Sequence, residues 1–319
     1  MSKDGWTEFS EEEKDRFRKL FPSRDPERIP IRLNNGFVTQ RNFAEKQKDI
    51  YNFQLRDDDI WVVTYPRSGT TWTLELVWML INDVDIEKGK VDLRIRCPFL
   101  ERDIVGPRGF MGENKKEKGP TSLELANKME GRRILKTHAP LELWPPDLLE
   151  RCKVVYVGRN PKDNVVSRFK ISESQFAGTF DDFLKLQEDG LGPSYWNHLL
   201  SGWSRRNEKN MKFIWFEDMK ADTMAIINEL CDFLEHPLTE DQKIALNEHV
   251  KLDNMKKNEH TNHIRGDNPE GMRKHIRKGQ VGDWQNYFNE ENSARWDKWI
   301  AEKTKGTGLE SLQQFQCAK

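Results

Sequence analysis

Short apolar, β-branched runs alternate with longer helical patterns through the middle of this chain. The runs are strand-length, and Pro66 and Gly69 interrupt the chain after the first of them. Strands that alternate with helices form parallel β-α-β units, with helices on both faces of the sheet. The sequence therefore predicts an α/β fold with a single domain around a central parallel sheet. The predicted strands are residues 60–65, 133–137, 153–157 and 213–216.

Helical patterns fill the spaces between these strands. They cover residues 71–81, 162–171, 180–187, 196–207 and 224–234. The highly charged N-terminal segment is punctuated by prolines, so we expect a short helix at 11–20 followed by an irregular arm. We divide the chain into an arm with the start of the domain (1–58) and the α/β body (59–319), which together form one globular domain. Segments 101–121 and 247–278 resist assignment and resemble lids or binding loops.

Composition and charge exclude several classes of protein. Lys and Arg total 52 and Asp and Glu total 53, and this balance argues against a dedicated nucleic-acid binder. The acidic N-terminus resembles no targeting signal, and no apolar stretch approaches the ~20 residues of a membrane span. The four cysteines are far apart without CxxC pairing, which favours free thiols over disulfides or zinc. We expect a cytoplasmic protein with no metal and no membrane partner.

The segment Thr64-Tyr-Pro-Arg-Ser-Gly-Thr-Thr-Trp72 is the strongest candidate for an anion site. A helix N-terminus offers unpaired N–H groups, and Gly69 lets the backbone approach an anion closely. Ser68, Thr70 and Thr71 add hydroxyl groups, and Arg67 adds a fixed charge. The alternative is an ordinary capped turn between a strand and a helix. The Walker A pattern GxxxxGK[ST] is absent, so we expect a P-loop-like loop whose anion is neutralised by protein groups.

Lys136 and His138 are two residues apart at the end of the second predicted strand. Side chains alternate along a strand, so the two should share one face. The ammonium charge disfavours protonation of the imidazole, which leaves a neutral base able to accept a proton. The alternative is a structural histidine.

Two further basic motifs lie later in the chain. Arg159 stands where the third predicted strand ends, and Ser167 lies about two helical turns further on. Arg277 and Lys278 precede Gly279 in a glycine-containing loop, and an adjacent pair of cations on such a loop can hold a phosphate dianion. A capped helix and a basic turn are the alternative interpretations.

In this order, the four motifs resemble those of the cytosolic sulfotransferase family. The resemblance rests on TYPRSGTTW, KTHAP, GRNPKDNVVS and RKGQVGDW, with WFEDMK and MKKN between them. It covers the chain from the arm before Trp61 onward. It implies one α/β domain that moves a sulfuryl group from 3′-phosphoadenosine 5′-phosphosulfate (PAPS) to a small hydroxyl or amine acceptor, with 3′-phosphoadenosine 5′-phosphate (PAP) as the product.

The resemblance also implies a role for each motif. His138 would be the general base, and Lys136 and Arg67 would stabilise the transferring group. The 67–72 loop would bind the phosphosulfate, with Trp72 also against the adenine. Phe216 would stack on the adenine, the 250–255 stretch would close over it, and the remaining basic motifs would hold the 3′-phosphate. The implied cofactor-binding residues are Arg67, Ser68, Gly69, Thr70, Thr71, Trp72, Arg159, Ser167, Phe216, Val250, Leu252, Met255, Arg277, Lys278 and Gly279.

The chain departs from the family pattern at several positions. Arg67 replaces the usual Lys and cannot donate a proton, which argues against a general acid there. Phe216 replaces a Tyr, and Val250 and Leu252 replace a Thr and a Phe. The family's C-terminal dimer motif is not matched, so the oligomeric state is left open.

Three other functions stay open. They are a P-loop nucleotide kinase, a non-catalytic PAPS-binding protein, and an enzyme that uses PAPS for the net dehydration of an alcohol. The many aromatic residues favour a hydrophobic acceptor such as a phenol, a sterol, a retinoid or another lipid alcohol, and an amine remains an alternative.

Overall fold

A computed structural model describes residues 5–25, 29–102, 121–262, 276 and 278–312. Two sheets are present in this part of the chain. The central sheet has four strands in the order β5-β4-β6-β7, and all of its neighbouring strands are parallel. The strands are β1 (Trp6–Glu8), β2 (Ile31–Leu33), β3 (Val38–Thr39), β4 (Ile60–Thr64), β5 (Ile134–Thr137), β6 (Lys153–Gly158) and β7 (Met211–Trp215).

The arm is more regular than its sequence predicts. Its helix spans Glu11–Leu20, as expected, and begins with a capping box at Ser10. However, β1, β2 and β3 form a small antiparallel sheet in which Trp6 lies opposite Leu33. Strands of two or three residues are too short to show a clear alternation of apolar and polar residues, so the expectation of an irregular arm is wrong here.

Helices flank the central sheet and follow the predicted order. The five predicted helices are present, although the fourth ends at Trp203 and is shorter than expected. The helices are α1 (Glu11–Leu20), α2 (Arg41–Glu45), α3 (Gln47–Tyr51), α4 (Thr70–Ile81), α5 (Leu93–Arg96), α6 (Ser122–Lys128), α7 (Leu148–Arg151), α8 (Pro161–Ser172), α9 (Phe180–Glu188), α10 (Tyr195–Trp203), α11 (Phe216–Ala221), α12 (Thr223–Phe233), α13 (Glu240–His249), α14 (Leu252–Lys257), α15 (Glu259–Asn262) and α16 (Glu290–Thr304).

The central sheet separates two apolar cores. Alternate residues of β4 point to opposite faces: Trp61 and Val63 belong to one core, and Ile60 and Val62 to the other. The first core also contains aromatic residues of the arm, such as Phe17. The predicted α/β class with a central parallel sheet is confirmed. Because the strands are parallel, their carboxyl ends meet at one edge of the sheet.

Candidate active site

The predicted site residues gather at the carboxyl edge of the central sheet. His138 directly follows β5, Arg159 follows β6 and Phe216 follows β7, while the loop 65–69 follows β4. Open parallel sheets bind ligands at this edge. The topology therefore brings motifs that are far apart in the sequence to one place.

The loop between β4 and α4 has left-handed backbone at two positions, Arg67 with φ 72° and Gly69 with φ 101°. A Cβ atom at Gly69 would lie 2.8 Å from the Phe216 ring, so both the conformation and the space require glycine. The Asn164 amide holds the loop by donating to the Pro66 carbonyl and to Ser68 Oγ, each at 3.0 Å.

Hydroxyl groups of the loop are already placed by contacts within the protein. Ser68 is fully buried, and Thr70 Oγ1 lies 2.6 Å from Thr64 Oγ1. Thr70 and Thr71 form the first turn of α4, where N–H groups have no partner within the helix. The predicted anion loop thus has a defined conformation at a helix N-terminus.

Arg159 joins the loop to the C-terminal basic motif. Its Nη1 donates to the Arg67 carbonyl at 2.9 Å, and its Nη2 donates to the Gln280 carbonyl at 3.2 Å. Arg67 in turn donates from Nε to Ser167 Oγ at 3.1 Å. The structure therefore brings three separate motifs into contact.

The basic loop itself is described in part. Lys278 forms an ion pair with Asp283 at 2.7 Å, and Gly279 has φ 59°. Arg277 lies outside the described residues. Asp163 fixes the segment beyond this loop, since its carboxylate accepts the N–H of Gly282 at 2.7 Å and that of Trp284 at 3.0 Å.

An aromatic pair lies beside these cations. The Trp72 and Phe216 rings are 5.7 Å apart at 73°, and the Arg159 guanidinium lies 4.3 Å from the Phe216 centroid. Both rings belong to the same apolar core as Val250 and Met255, which are fully buried. Leu252 packs against that core, and a Cβ at Gly279 would meet it at 2.4 Å.

His138 has a defined hydrogen-bond partner. Its Nδ1 lies 2.7 Å from the Thr64 carbonyl oxygen. A carbonyl only accepts, so Nδ1 carries the proton and Nε2 keeps its lone pair. Burial, together with the Lys136 charge, holds the pKa of His138 well below its usual range. The imidazole is therefore a neutral acceptor at physiological pH.

Lys136 and His138 share an aromatic neighbour, as expected for side chains on one face. The Phe99 centroid is 4.4 Å from Lys136 Nζ and 5.0 Å from the centre of the His138 ring. Burial lowers the pKa of Lys136 to about 8, a change that Glu101 opposes and Arg67 reinforces.

Glu101 is a residue of this site that the sequence did not reveal. Its Oε1 accepts the backbone N–H of His138 at 2.5 Å and the Thr137 hydroxyl at 2.8 Å. Burial raises the pKa of this carboxyl to about 7. In the sequence, Glu101 is only an acidic residue after Phe99 and Leu100, and it begins a segment without a clear helical or strand pattern. Asp163 and Asn164 were likewise visible only as ordinary residues of a helix N-terminus.

The described residues contain no group of three side chains that could hold a metal ion. His260 and His263 form an HxxH pair in the sequence, and His263 lies outside the described residues. No helix in the same part of the chain is long and apolar enough to cross a membrane.

The chain matches the model of the sulfotransferase domain over residues 57–308. It is 32% identical to sulfotransferase 1B1 of Mus musculus over 309 residues, which cover 93% of this chain and 99% of the relative. It is 30% identical to sulfotransferase 1E1 of Homo sapiens, with coverages of 86% and 93%.

Among solved structures, retinol dehydratase in complex with retinol and PAP superposes with a TM-score of 0.83 at 28% identity, covering 95% of this chain and 97% of that one. This family accounts for the predicted fold, the donor PAPS and the product PAP, and the predicted cytoplasmic location agrees with it. A nucleotide kinase or a purely PAPS-binding protein no longer fits. The chain belongs to the cytosolic sulfotransferase family and is a PAPS-dependent sulfotransferase that acts on small acceptors.

Proposed function

We propose that this enzyme transfers the sulfuryl group to a hydroxyl of a hydrophobic acceptor, with His138 as the general base. One observation carries the proposal. The hydrogen bond from His138 Nδ1 to the Thr64 carbonyl, at 2.7 Å, leaves Nε2 free to take a proton. The depressed pKa keeps the ring neutral before the reaction. A base of this kind typically contributes about 10²- to 10⁴-fold to the rate.

The proposed reaction is one displacement at sulfur. Bound PAPS supplies a sulfuryl group whose leaving group is a phosphate. His138 Nε2 takes the hydroxyl proton as the acceptor oxygen forms a bond to sulfur, and the bond from sulfur to the bridging oxygen breaks. PAP keeps that electron pair. Lys136 and Arg67 stabilise the charge that develops on the bridging oxygen, and such fixed charges are most effective in a site shielded from water.

The nucleotide roles follow the contacts around Arg159. We propose that Arg159 and Ser167, with the Arg277–Lys278–Gly279 loop, hold the 3′-phosphate. Support comes from the hydrogen bonds that join Arg159 to the Arg67 and Gln280 carbonyls. Trp72 and Phe216 would hold the adenine through their faces. Val250, Leu252 and Met255 would support these rings from the core rather than contact the nucleotide through polar groups.

A hydrophobic acceptor is favoured by the wall next to the base. Phe99 contacts both Lys136 and His138, so a molecule that reaches Nε2 meets an aromatic surface. Retinol and androsterone are the molecules named with two structural neighbours. We therefore propose a phenol, sterol, retinoid or other lipid alcohol, with an amine as the less favoured class.

Dehydration is a second candidate, because retinol dehydratase is 28% identical and superposes over nearly the whole chain. The same transfer would first make a sulfate ester. The C–O bond of that ester would then break, sulfate would leave with the electron pair, and a carbon would lose a proton to give an alkene. Mass spectrometry of the products from an allylic alcohol separates the two outcomes, since transfer alone leaves the sulfate ester intact.

The test is turnover with PAPS and a panel of phenols, sterols, retinoids and amines. His138→Ala should lose about 10²- to 10⁴-fold in kcat, while its affinity for PAP stays within about threefold. His236→Ala is the matched control, because His236 pairs with Asp83 at 3.0 Å on another part of the surface. Normal turnover by His138→Ala would refute the role of this residue. An exclusive preference for amines would refute the proposed acceptor class.

A further inference from the structure

A cavity lies outside the proposed active site. Its volume is about 190 Å³, and it is bounded by the arm, α8, the 187–197 segment and α16. None of the predicted catalytic or cofactor residues lines it. Asn164 stands between the two regions, since it lines the cavity and donates to the Pro66 carbonyl and Ser68 Oγ.

Four aromatic side chains line the cavity. Tyr195 and Trp196 contribute from one side, and Trp296 and Trp299 from α16. The Trp299 ring lies 5.6 Å from that of Trp196 and 5.0 Å from that of Trp296. A cavity of about 150 Å³ can hold benzene. This one therefore has room for one aromatic ring with a small substituent.

Three polar side chains of the wall have donor groups without an acceptor among the residues that the structure describes. Within the described part of the chain, Gln187 Nε2 and Trp296 Nε1 are buried without an acceptor. Arg168 uses Nη1 to donate to the Tyr65 hydroxyl and to Gln187 Oε1, and among the described residues nothing accepts from its other nitrogens.

The charges of the wall favour an anion. Lys303 is exposed and has no ion-pair partner among residues 5–25, 29–102, 121–262, 276 and 278–312. The acidic wall residue, Glu188, is neutralised by Arg295, with both oxygens 3.1 Å from Nε. Unpaired donors and net positive charge in an aromatic cavity suit a ligand that has one ring and one anionic group.

We propose that this cavity binds a small aromatic carboxylate. The ring would lie among Trp196, Trp296 and Trp299. The carboxylate would accept from Arg168, Gln187 and Trp296, with Lys303 at the mouth. The site is separate from the nucleotide site, so binding persists when PAP is bound.

The test uses the full chain saturated with PAP and benzoate as the probe, followed by saturation-transfer NMR and a titration. Benzoate should bind with a Kd in the millimolar range, and neutral benzamide at least about tenfold more weakly. Arg168→Met should weaken benzoate at least about tenfold, and Lys303→Met about threefold. Lys298→Met, which removes a charge from an exposed position of the same helix, should leave the affinity unchanged.

Three results would overturn the proposal. They are the absence of benzoate binding at about 10 mM, competition between benzoate and PAP, and equal affinity in Arg168→Met, Lys303→Met and the wild type. PAP affinity, measured in every variant, reports folding. If Arg168→Met fails to fold, then Lys303→Met decides, because its exposed side chain can be replaced without disturbing the core.

Discussion

Lys136 combines a partly buried side chain with the charge that the proposed chemistry needs. Burial lowers its pKa from 10.5 to about 8. One pKa unit corresponds to about 1.4 kcal/mol, so the charged form destabilises the folded protein by about 3 kcal/mol at neutral pH. Methionine has a similar length without the charge. We therefore expect Lys136→Met to raise the free energy of unfolding at pH 7 by up to about 3 kcal/mol, while turnover is lost.

The pH dependence gives this prediction a definite sign. The unfolded lysine keeps its proton up to about pH 10.5, but the folded one only up to about pH 8. Between these values the unfolded state binds more protons, so the stability of the wild type rises with pH relative to the variant. The advantage of Lys136→Met should therefore shrink by about 2 kcal/mol between pH 7 and pH 9.5.

Urea unfolding of both proteins at the two pH values measures the effect. Lys212→Met is the matched control, because Lys212 is a strand lysine of the same sheet that pairs with Glu229 at 2.9 Å. It should not gain stability. If Lys136→Met were less stable than the wild type by the same amount at both pH values, the destabilising charge at Lys136 would be refuted.

Substitutions at three further positions test the site. Gly69→Ala should weaken PAP binding about tenfold and lower stability by about 1–2 kcal/mol, because the new methyl group would lie 2.8 Å from the Phe216 ring. Gly131→Ala is the control: Gly131 has φ 66° and open space around it, so this variant should lose stability alone. Equal PAP affinities of the two variants, measured by calorimetry, would contradict the prediction. Glu101→Gln keeps an oxygen for the His138 N–H, so its kcat should stay within about threefold of the wild-type value. Glu101→Leu should lose about 2 kcal/mol of stability, measured by urea unfolding, and most of its turnover. Full activity of the leucine variant would show that Glu101 does not support the site. Asp163→Asn has one acceptor oxygen for two N–H groups, so its Kd for PAP should rise about tenfold. An unchanged Kd would show that the hydrogen bonds from Gly282 and Trp284 are not needed for PAP binding.

The central sheet could be predicted because each of its strands is short and apolar. In β4 every residue is buried, so an unbroken apolar run identifies the strand without any alternation. The location of the site followed from this topology, since polar residues after parallel strands converge at one edge. Arg67, His138 and Arg159 could therefore be assigned to one site from the sequence.

Other features depend on contacts that no local pattern encodes. α13 buries only Leu246, so it lacks the apolar stripe by which helices are recognised. The support of His138 by Glu101 crosses 37 residues, and that of the segment beyond the basic loop by Asp163 crosses 119. By contrast, α16 has a readable signal in the sequence, because Trp296 and Ile300 are apolar at a spacing of four.

The hydrogen bonds that Gly282 and Trp284 donate to Asp163 also bear on how the protein is made. Asp163 leaves the ribosome well before its two partners, Gly282 and Trp284, which follow 119 to 121 residues later. At about 5–20 residues per second, this delay is about 6 to 24 seconds. During that interval the nascent chain has an anion loop without these two hydrogen bonds, so we expect tight nucleotide binding only at a late stage of synthesis.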